Sequence, residues 1–195
     1  MARTNQTRRR ALLDAAIDVL ADHGARGLTF RAVDTAAAVP AGTASNYFPD
    51  RDTLLTQAGA HVHVRLAPTP QRMSRLATPA PTRQAVRAAM HDLFDRVSRD
   101  PAGYLALLEL RLEGTRRPHV RAALTSAISA NITDSIAFHV DGGYPGGRRT
   151  ALALYLAMSG LIVEHLTLPD TTWHQAGPEN TIDDLVDAIV PDPHG

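Results

Sequence analysis

The chain has 195 residues, with 20 basic and 20 acidic side chains, nine histidines and no cysteine. That length is ample for a sizeable core in one domain or two small ones, and the lack of cysteine excludes disulfide scaffolds, thiolate zinc sites and thiol catalysis. Zero net charge argues against a nucleic-acid partner only until the charges are located: residues 1–65 carry eight Arg against six acids, residues 66–121 ten against five, and residues 122–195 two against nine.

There is no lysine, so every basic side chain is a guanidinium that can make bidentate contacts. Arg3, Arg8, Arg9 and Arg10 open the chain as a short basic arm, either a solvated tail or a phosphate-binding one. Leu13, Ala16, Ile17 and Leu20 then follow helical spacing, and Gly24 is a natural stop, which predicts a helix over about 8–23. Thr29 can cap a short helix over about 30–37 with Val33 inward. Val39-Pro40 precedes another short helix, about 41–48. Asp50 caps a fourth, about 51–66, with Leu54, Leu55, Ala58 and Val62 inside.

Pro68, Pro70, Pro79 and Pro81 mark residues 67–81 as a linker or seam. Val86, Met90, Leu93, Phe94 and Val97 predict a helix over about 82–99. Pro101 opens the next, to about Gly114, with Leu105, Leu108 and Leu112 on one stripe. Val120, Leu124, Ile128, Ile132 and Ile136 step every four residues along a helix of about 118–139. A glycine-rich loop at Asp141–Gly147 leads into a helix over about 148–167 that is apolar nearly all round. Pro169–Asn180 is a second loop and holds Trp173. Thr181 caps a last helix with Ile182, Leu185, Val186 and Ile189 inward. No alternating strand pattern appears. The fold class is all-α, with about nine helices.

Two short helices separated by three or four residues and preceded by an amphipathic one have the layout of a helix-turn-helix. Lengths alone leave a purely structural three-helix bundle equally open. The stretch Leu13–Leu55, LDAAIDVLADHGARGLTFRAVDTAAAVPAGTASNYFPDRDTLL, resembles the N-terminal domain of the TetR family of transcriptional regulators. The resemblance rests on Ala15-Ala16, Gly24, Leu28-Thr29, Val33, Val39, Gly42-Thr43, Tyr47-Phe48-Pro49, Arg51 and Leu54-Leu55, and covers about residues 8–60. The family usually has Gly where Ala38 stands, a small residue where Asp34 stands and Tyr where Ser45 stands. A Cβ in the left-handed turn at Ala38 would cost about 1 kcal/mol.

The resemblance implies a DNA-binding head at 1–50 and a ligand-binding and dimerisation domain at 51–195, with helix 51–66 connecting them. Ala41, Gly42, Thr43 and Ala44 make a small-faced recognition helix whose N-terminus can lie close to base edges, with Ser45 after them; Thr43 can offer a methyl or a hydroxyl and Asn46 can pair with adenine. Arg31 matches a family position that reaches guanine. Tyr47 and Arg51 match positions that hold phosphates, and Thr29 can do so from a helix N-terminus. Family membership further implies a ligand pocket, for which Met90, Phe94, Tyr104, Leu108, Arg111, Tyr155 and Trp173 are candidates. Arg111 could instead pair with Glu109 or Glu113. A helix apolar on every side must bury both faces, which nominates Leu154, Met158, Leu161, Ile162, Leu185 and Ile189 for a homodimer interface.

The expected partners are a double-stranded DNA operator, a small-molecule effector and a second copy of the chain. The expected function is a ligand-responsive regulator, most often a repressor; the alternative is a helical protein-binding or scaffold module. No cofactor, metal or catalytic residue is expected. His61 and His63 lie two apart on a helix and face different ways, and Glu164-His165 lacks the spacing that puts two histidines on one face. The basic start runs directly into a segment with Asp14 and Asp18 rather than an apolar leader. Ala151–Val163 is too short to span a bilayer, so a cytoplasmic protein is expected.

Overall fold

The computed structural model describes residues 2–77, 80–171 and 177–192. These residues form ten helices and no strand: α1 (Ala2–Gly27), α2 (Phe30–Ala36), α3 (Thr43–Tyr47), α4 (Arg51–Leu66), α5 (Pro70–Ala77), α6 (Arg83–Arg99), α7 (Ala102–Gly114), α8 (Pro118–Asp141), α9 (Gly147–Thr167) and α10 (Pro178–Ile189). The chain is all-α, as its periodicity predicts. The helix beyond the expected nine is α5, inside the proline-rich stretch. Thr69 supplies its start, its hydroxyl accepting the Arg72 N–H at 3.3 Å, and Pro70 follows where a missing N–H is harmless.

Two compact units result. The first comprises residues 1–67 and 101–129, and the second residues 68–100 and 130–195. This division does not follow the expected break at residue 50, because α1 and α4 bury their apolar faces on α7 within the first unit.

In that first unit, Leu12, Ala16, Ile17 and Leu20 of α1 and Leu54, Leu55, Ala58 and Val62 of α4 are fully buried. They share one core with Leu28, Val33, Ala44, Phe48, Leu110 and Val120. Helix α7 turns a different stripe inward from the one expected. Leu105 and Leu108 are half-buried and Leu112 is exposed, whereas Gly103, Ala106, Leu107, Leu110 and Gly114 face the core. Both stripes have helical spacing. The chosen one is smaller, and its size matters: a Cβ at Gly103 would stand 2.9 Å from Leu66 Cδ2. Helices α4 and α7 therefore approach more closely than a leucine stripe would allow.

The second unit is built on α6, α9 and α10. Val86, Phe94 and Val97 of α6 pack with Leu154, Met158, Leu161 and Ile162 of α9 and with Ile182, Val186 and Val190. The expected interface residues Leu154, Met158, Leu161 and Ile162 are thus already covered within the single chain, and Leu185 and Ile189 are half-buried. An all-round apolar helix carries no phase in its sequence, so its inner and outer faces cannot be told apart by periodicity. The outer face carries Leu152 and Leu156, the latter 62% exposed. By length and composition α9 could cross a membrane, yet its inner face is ordinary protein core.

Charged pairs tie α10 to α6. Asp183 meets Arg87 and His91, and Asp187 meets Arg87 and Arg83. Thr181 lies within the first turn of α10 rather than capping it, and its hydroxyl donates to the Gly177 carbonyl at 3.1 Å.

Candidate nucleic-acid interface

Helix α2 starts where an extended Thr29 accepts the Ala32 N–H through its hydroxyl at 3.1 Å. It ends in a Schellman arrangement, in which Ala38 N–H donates to Thr35 O at 3.1 Å and Val39 N–H to Asp34 O at 3.0 Å. That geometry requires a left-handed residue, and Ala38 supplies it with φ 51°. The turn expected of glycine is therefore kept with alanine, at a cost of about 1 kcal/mol.

The chain then passes Pro40 and a second left-handed residue, Gly42 at φ 86°, into α3. A Cβ at Gly42 would touch nothing, so glycine is needed there for its backbone freedom and not for space. Ala44, expected on the small face toward the bases, instead points into the core and is fully buried. Ala41, Gly42, Ser45 and Asn46 are exposed, and Thr43 and Tyr47 half-buried. The Ser45 hydroxyl donates to Gly42 O at 2.9 Å and the Thr43 hydroxyl to Pro40 O. Both hydroxyls therefore brace the turn. Asn46 carries the exposed amide of this helix.

Two arginines expected to face phosphates are engaged within the head. Arg51 donates from Nε to Leu28 O at 2.9 Å and from Nη2 to Ala25 O, bracing the corner between α1 and α2. Arg9 donates to Tyr47 O at 3.0 Å and to Gln57 Oε1, and its guanidinium lies 4.8 Å from the centre of the Phe48 ring. The N-terminal arm is itself part of α1. Arg8, Arg10, Arg26 and Arg31 remain exposed. Asp50 caps α4 by accepting Thr53 N–H at 2.6 Å, and this bond holds its carboxyl below the usual carboxylate range.

Three positioning groups were not visible from sequence. Asp34 is buried, and its carboxylate accepts the backbone N–H groups of Gly42 at 2.7 Å and Ala44 at 2.6 Å. Its only sequence signal is its departure from the small residue the family prefers. Arg9 looked like one more arginine of a basic arm. Glu109 of α7 accepts Ala25 N–H at 3.2 Å beside the break in α1 at Gly24, where φ is 64°. A Cβ on Gly24 would stand 3.2 Å from that carboxylate, so this glycine answers to both geometry and space.

The candidate ligand contacts divide between the units. Met90, Phe94 and Tyr155 belong to the second, where Phe94 is buried with its ring 4.6 Å from that of His165. Tyr104, Leu108 and Arg111 belong to the first, with Arg111 exposed. Its proposed partners are engaged elsewhere, Glu109 with Ala25 and Glu113 with Arg117. Trp173 lies outside the described residues. An open groove of about 460 Å³ runs along α1 and α2, lined by Asp18, Asp22, His23 and Arg31 among others, and one of about 550 Å³ lies along α5 and α6. Neither is lined by the candidate ligand residues. Among the described residues no cluster of metal-binding side chains occurs.

Comparisons with known proteins agree with this geometry. Residues 12–58 match the model of bacterial regulatory proteins of the tetR family, and residues 81–192 match a tetracyclin repressor-like C-terminal domain. A comparison with curated protein sequences gave no match. Among solved structures, a TetR-family regulator from Rhodococcus sp. is 20% identical, covers 94% of this chain and 98% of its own, and superposes with a TM-score of 0.68. A TetR-family member from Streptomyces coelicolor is 25% identical over 94% of this chain and 98% of its own, with a TM-score of 0.63. The multidrug binding protein EbrR, complexed with proflavin, is 26% identical over 91% of this chain and 99% of its own, with a TM-score of 0.54. The C-terminal match alone spans more than half of the chain, and the head it lacks is supplied by the N-terminal match: the chain belongs to the TetR family of DNA-binding transcriptional regulators, which are not enzymes.

Proposed function

We propose that the protein is a cytoplasmic homodimer that binds a palindromic operator, acts as a repressor and is released by a small organic effector. The observation that carries this reading is the presentation of α3. Ala41 and Gly42 are exposed in the turn that leads into α3, and Ser45 and Asn46 are exposed on the helix itself, whose underside, Ala44, is fully buried. Small residues let such a helix approach base edges closely, and Asn46 supplies a donor and acceptor pair that matches adenine. Arg31, exposed on α2, is the second candidate reader, and Thr29 and Tyr47 are candidates for backbone contact. Arg51 keeps only its remaining nitrogen for a phosphate, and Arg8, Arg10 and Arg26 add sequence-independent affinity.

A two-fold dimer would place two such heads on half-sites about 34–36 Å apart. The surface that suits it is the outer face of α9, with Leu152 and Leu156, beside half-buried Leu185 and Ile189 of α10. Met90, Phe94, Tyr104, Leu108, Arg111 and Tyr155 are the candidate effector contacts, and EbrR's complex with proflavin makes planar aromatic compounds a sensible first screen.

The test is selection of bound duplexes from a random pool, followed by a salt titration of the best one and a screen for compounds that release it. A preferred palindrome with salt-dependent affinity is the expected result. Failure to enrich any sequence at low salt would sink the reading. For assembly, Leu156→Arg should yield folded monomers, and a dimer of unchanged mass by light scattering would remove α9 from the interface.

A further inference from the structure

Asp34 belongs to α2 but does its structural work on α3. Gly42, the residue at the N-cap of α3, has no side chain with which to accept the orphan N–H groups of the first turn. Asp34 accepts two of them from outside, Gly42 N–H on Oδ2 at 2.7 Å and Ala44 N–H on Oδ1 at 2.6 Å. The side chain is only 3% exposed, so these bonds form away from competing water.

With five residues, α3 is far too short to hold itself together, since isolated helices below about 12–15 residues are marginal in water. Two bonds from one planar carboxylate to amides two residues apart fix more than the start of the helix. They fix its rotation about its own axis. A slip of one residue would turn every side chain by about 100°, which would move Ser45 and Asn46 off the face they now occupy.

We infer that Asp34 is the positioning residue of the recognition helix: without touching DNA, it sets the angle at which Ser45 and Asn46 meet the bases and so sets sequence discrimination. The inference rests on the reading of α3 as the DNA-reading helix. It has a second consequence. Because the Gly42 and Ala44 amides are held by Asp34, they are not phosphate anchors, and the salt dependence of binding must come from exposed arginines elsewhere.

Asp34→Asn is the informative variant. It keeps the size of the side chain but replaces one acceptor oxygen with an NH2 group facing an N–H, so one bond is lost and two donors confront each other. Affinity for the duplex that the wild-type protein selects should fall roughly ten- to a hundredfold, the range set by losing a charged hydrogen bond. Affinity for a scrambled duplex, and the salt dependence of both, should stay unchanged. Amide exchange at Gly42 and Ala44, measured without DNA, should accelerate. If the single variant loses helix content, the comparison is made in an Ala38→Gly background, which relieves strain in the same turn. An equal loss on both duplexes, no loss on either, or unchanged amide exchange would overturn the inference. A wild-type protein that selects no duplex, with amide exchange still Asp34-dependent, would instead overturn the DNA reading and leave the Asp34 clamp standing.

Discussion

The five-residue α3 and the 21-residue α9 are held in place by different forces. Helix α3 buries little beyond Ala44 and depends on polar groups contributed by other segments: the Asp34 carboxylate at its start and the Arg9 guanidinium on the carbonyl of Tyr47 at its end. Helix α9 has no side-chain cap at its N-terminus, and six of its residues, Thr150, Ala151, Leu154, Met158, Leu161 and Ile162, are buried. Apolar burial is strong but non-directional, whereas charged hydrogen bonds are weaker in sum and fix orientation. A helix that must present three or four side chains at a set angle suits the second means, and one that must simply anchor a unit suits the first.

Substitutions can break that contrast at either end. The largest effect is expected at Met158, which is 2% exposed on the inner face of α9. Met158→Ala should cost about 2–5 kcal/mol by removing buried surface and leaving a cavity. Denaturant unfolding measures it, and a loss below about 1 kcal/mol would mean that α9 is not anchored as described. Next comes Asn46→Ala, which should leave stability nearly untouched and weaken binding by about 1–3 kcal/mol at particular base pairs. Binding to a set of single-base variants reads this directly. A uniform loss across the set would assign Asn46 to the DNA backbone.

What the sequence showed and what it hid follow the same division. Periodicity and local caps were legible, so α2 and α4 appear nearly where Thr29, Val33 and Asp50 place them, whereas α1 starts at Ala2 and continues past the break at Gly24 to Gly27, and α3 is only Thr43–Tyr47. The Thr69-Pro70 start of α5 was equally local but was masked by neighbouring prolines. Long-range polar contacts were illegible. Nothing in a one-dimensional pattern says that Arg9 reaches Gln57 or that Glu109 reaches Ala25. Phase was also lost wherever two stripes were both apolar. On α7 the glycine and alanine stripe went inward in place of Leu105, Leu108 and Leu112, and on α9 Leu152 and Leu156 went outward.

A smaller effect is expected at the turn between α2 and α3. Ala38 holds φ 51° because the Schellman bonds and the core contact of Val39 impose it. Ala38→Gly removes the Cβ strain, though it also loosens the unfolded chain, for a net gain of about 0.5 kcal/mol. In a chain of this size that is about 1–2 °C in Tm. A drop in Tm would show that the alanine is unstrained.

The smallest expected effect is a slope with pH, and it separates two histidines on one helix. In α4, His61 Nε2 lies 2.8 Å from Asp14 Oδ1, whereas His63 Nε2 is buried with no hydrogen-bond partner among the described residues. Burial, and then the positive charge of Arg111, push the His63 pKa below its ordinary value of 6.5. The unfolded chain therefore binds this proton more readily than the folded one. The contribution to stability is complete above pH 6.5 and is lost as pH falls below that value toward the depressed folded pKa. His63→Gln should flatten the decline in stability between about pH 7 and 5.5, and subtracting the variant's curve from the wild type's cancels the other histidines. Parallel curves would show that His63 protonates equally well in both states, and the partition of α4 into a paired and an unpaired histidine would then carry no energetic weight.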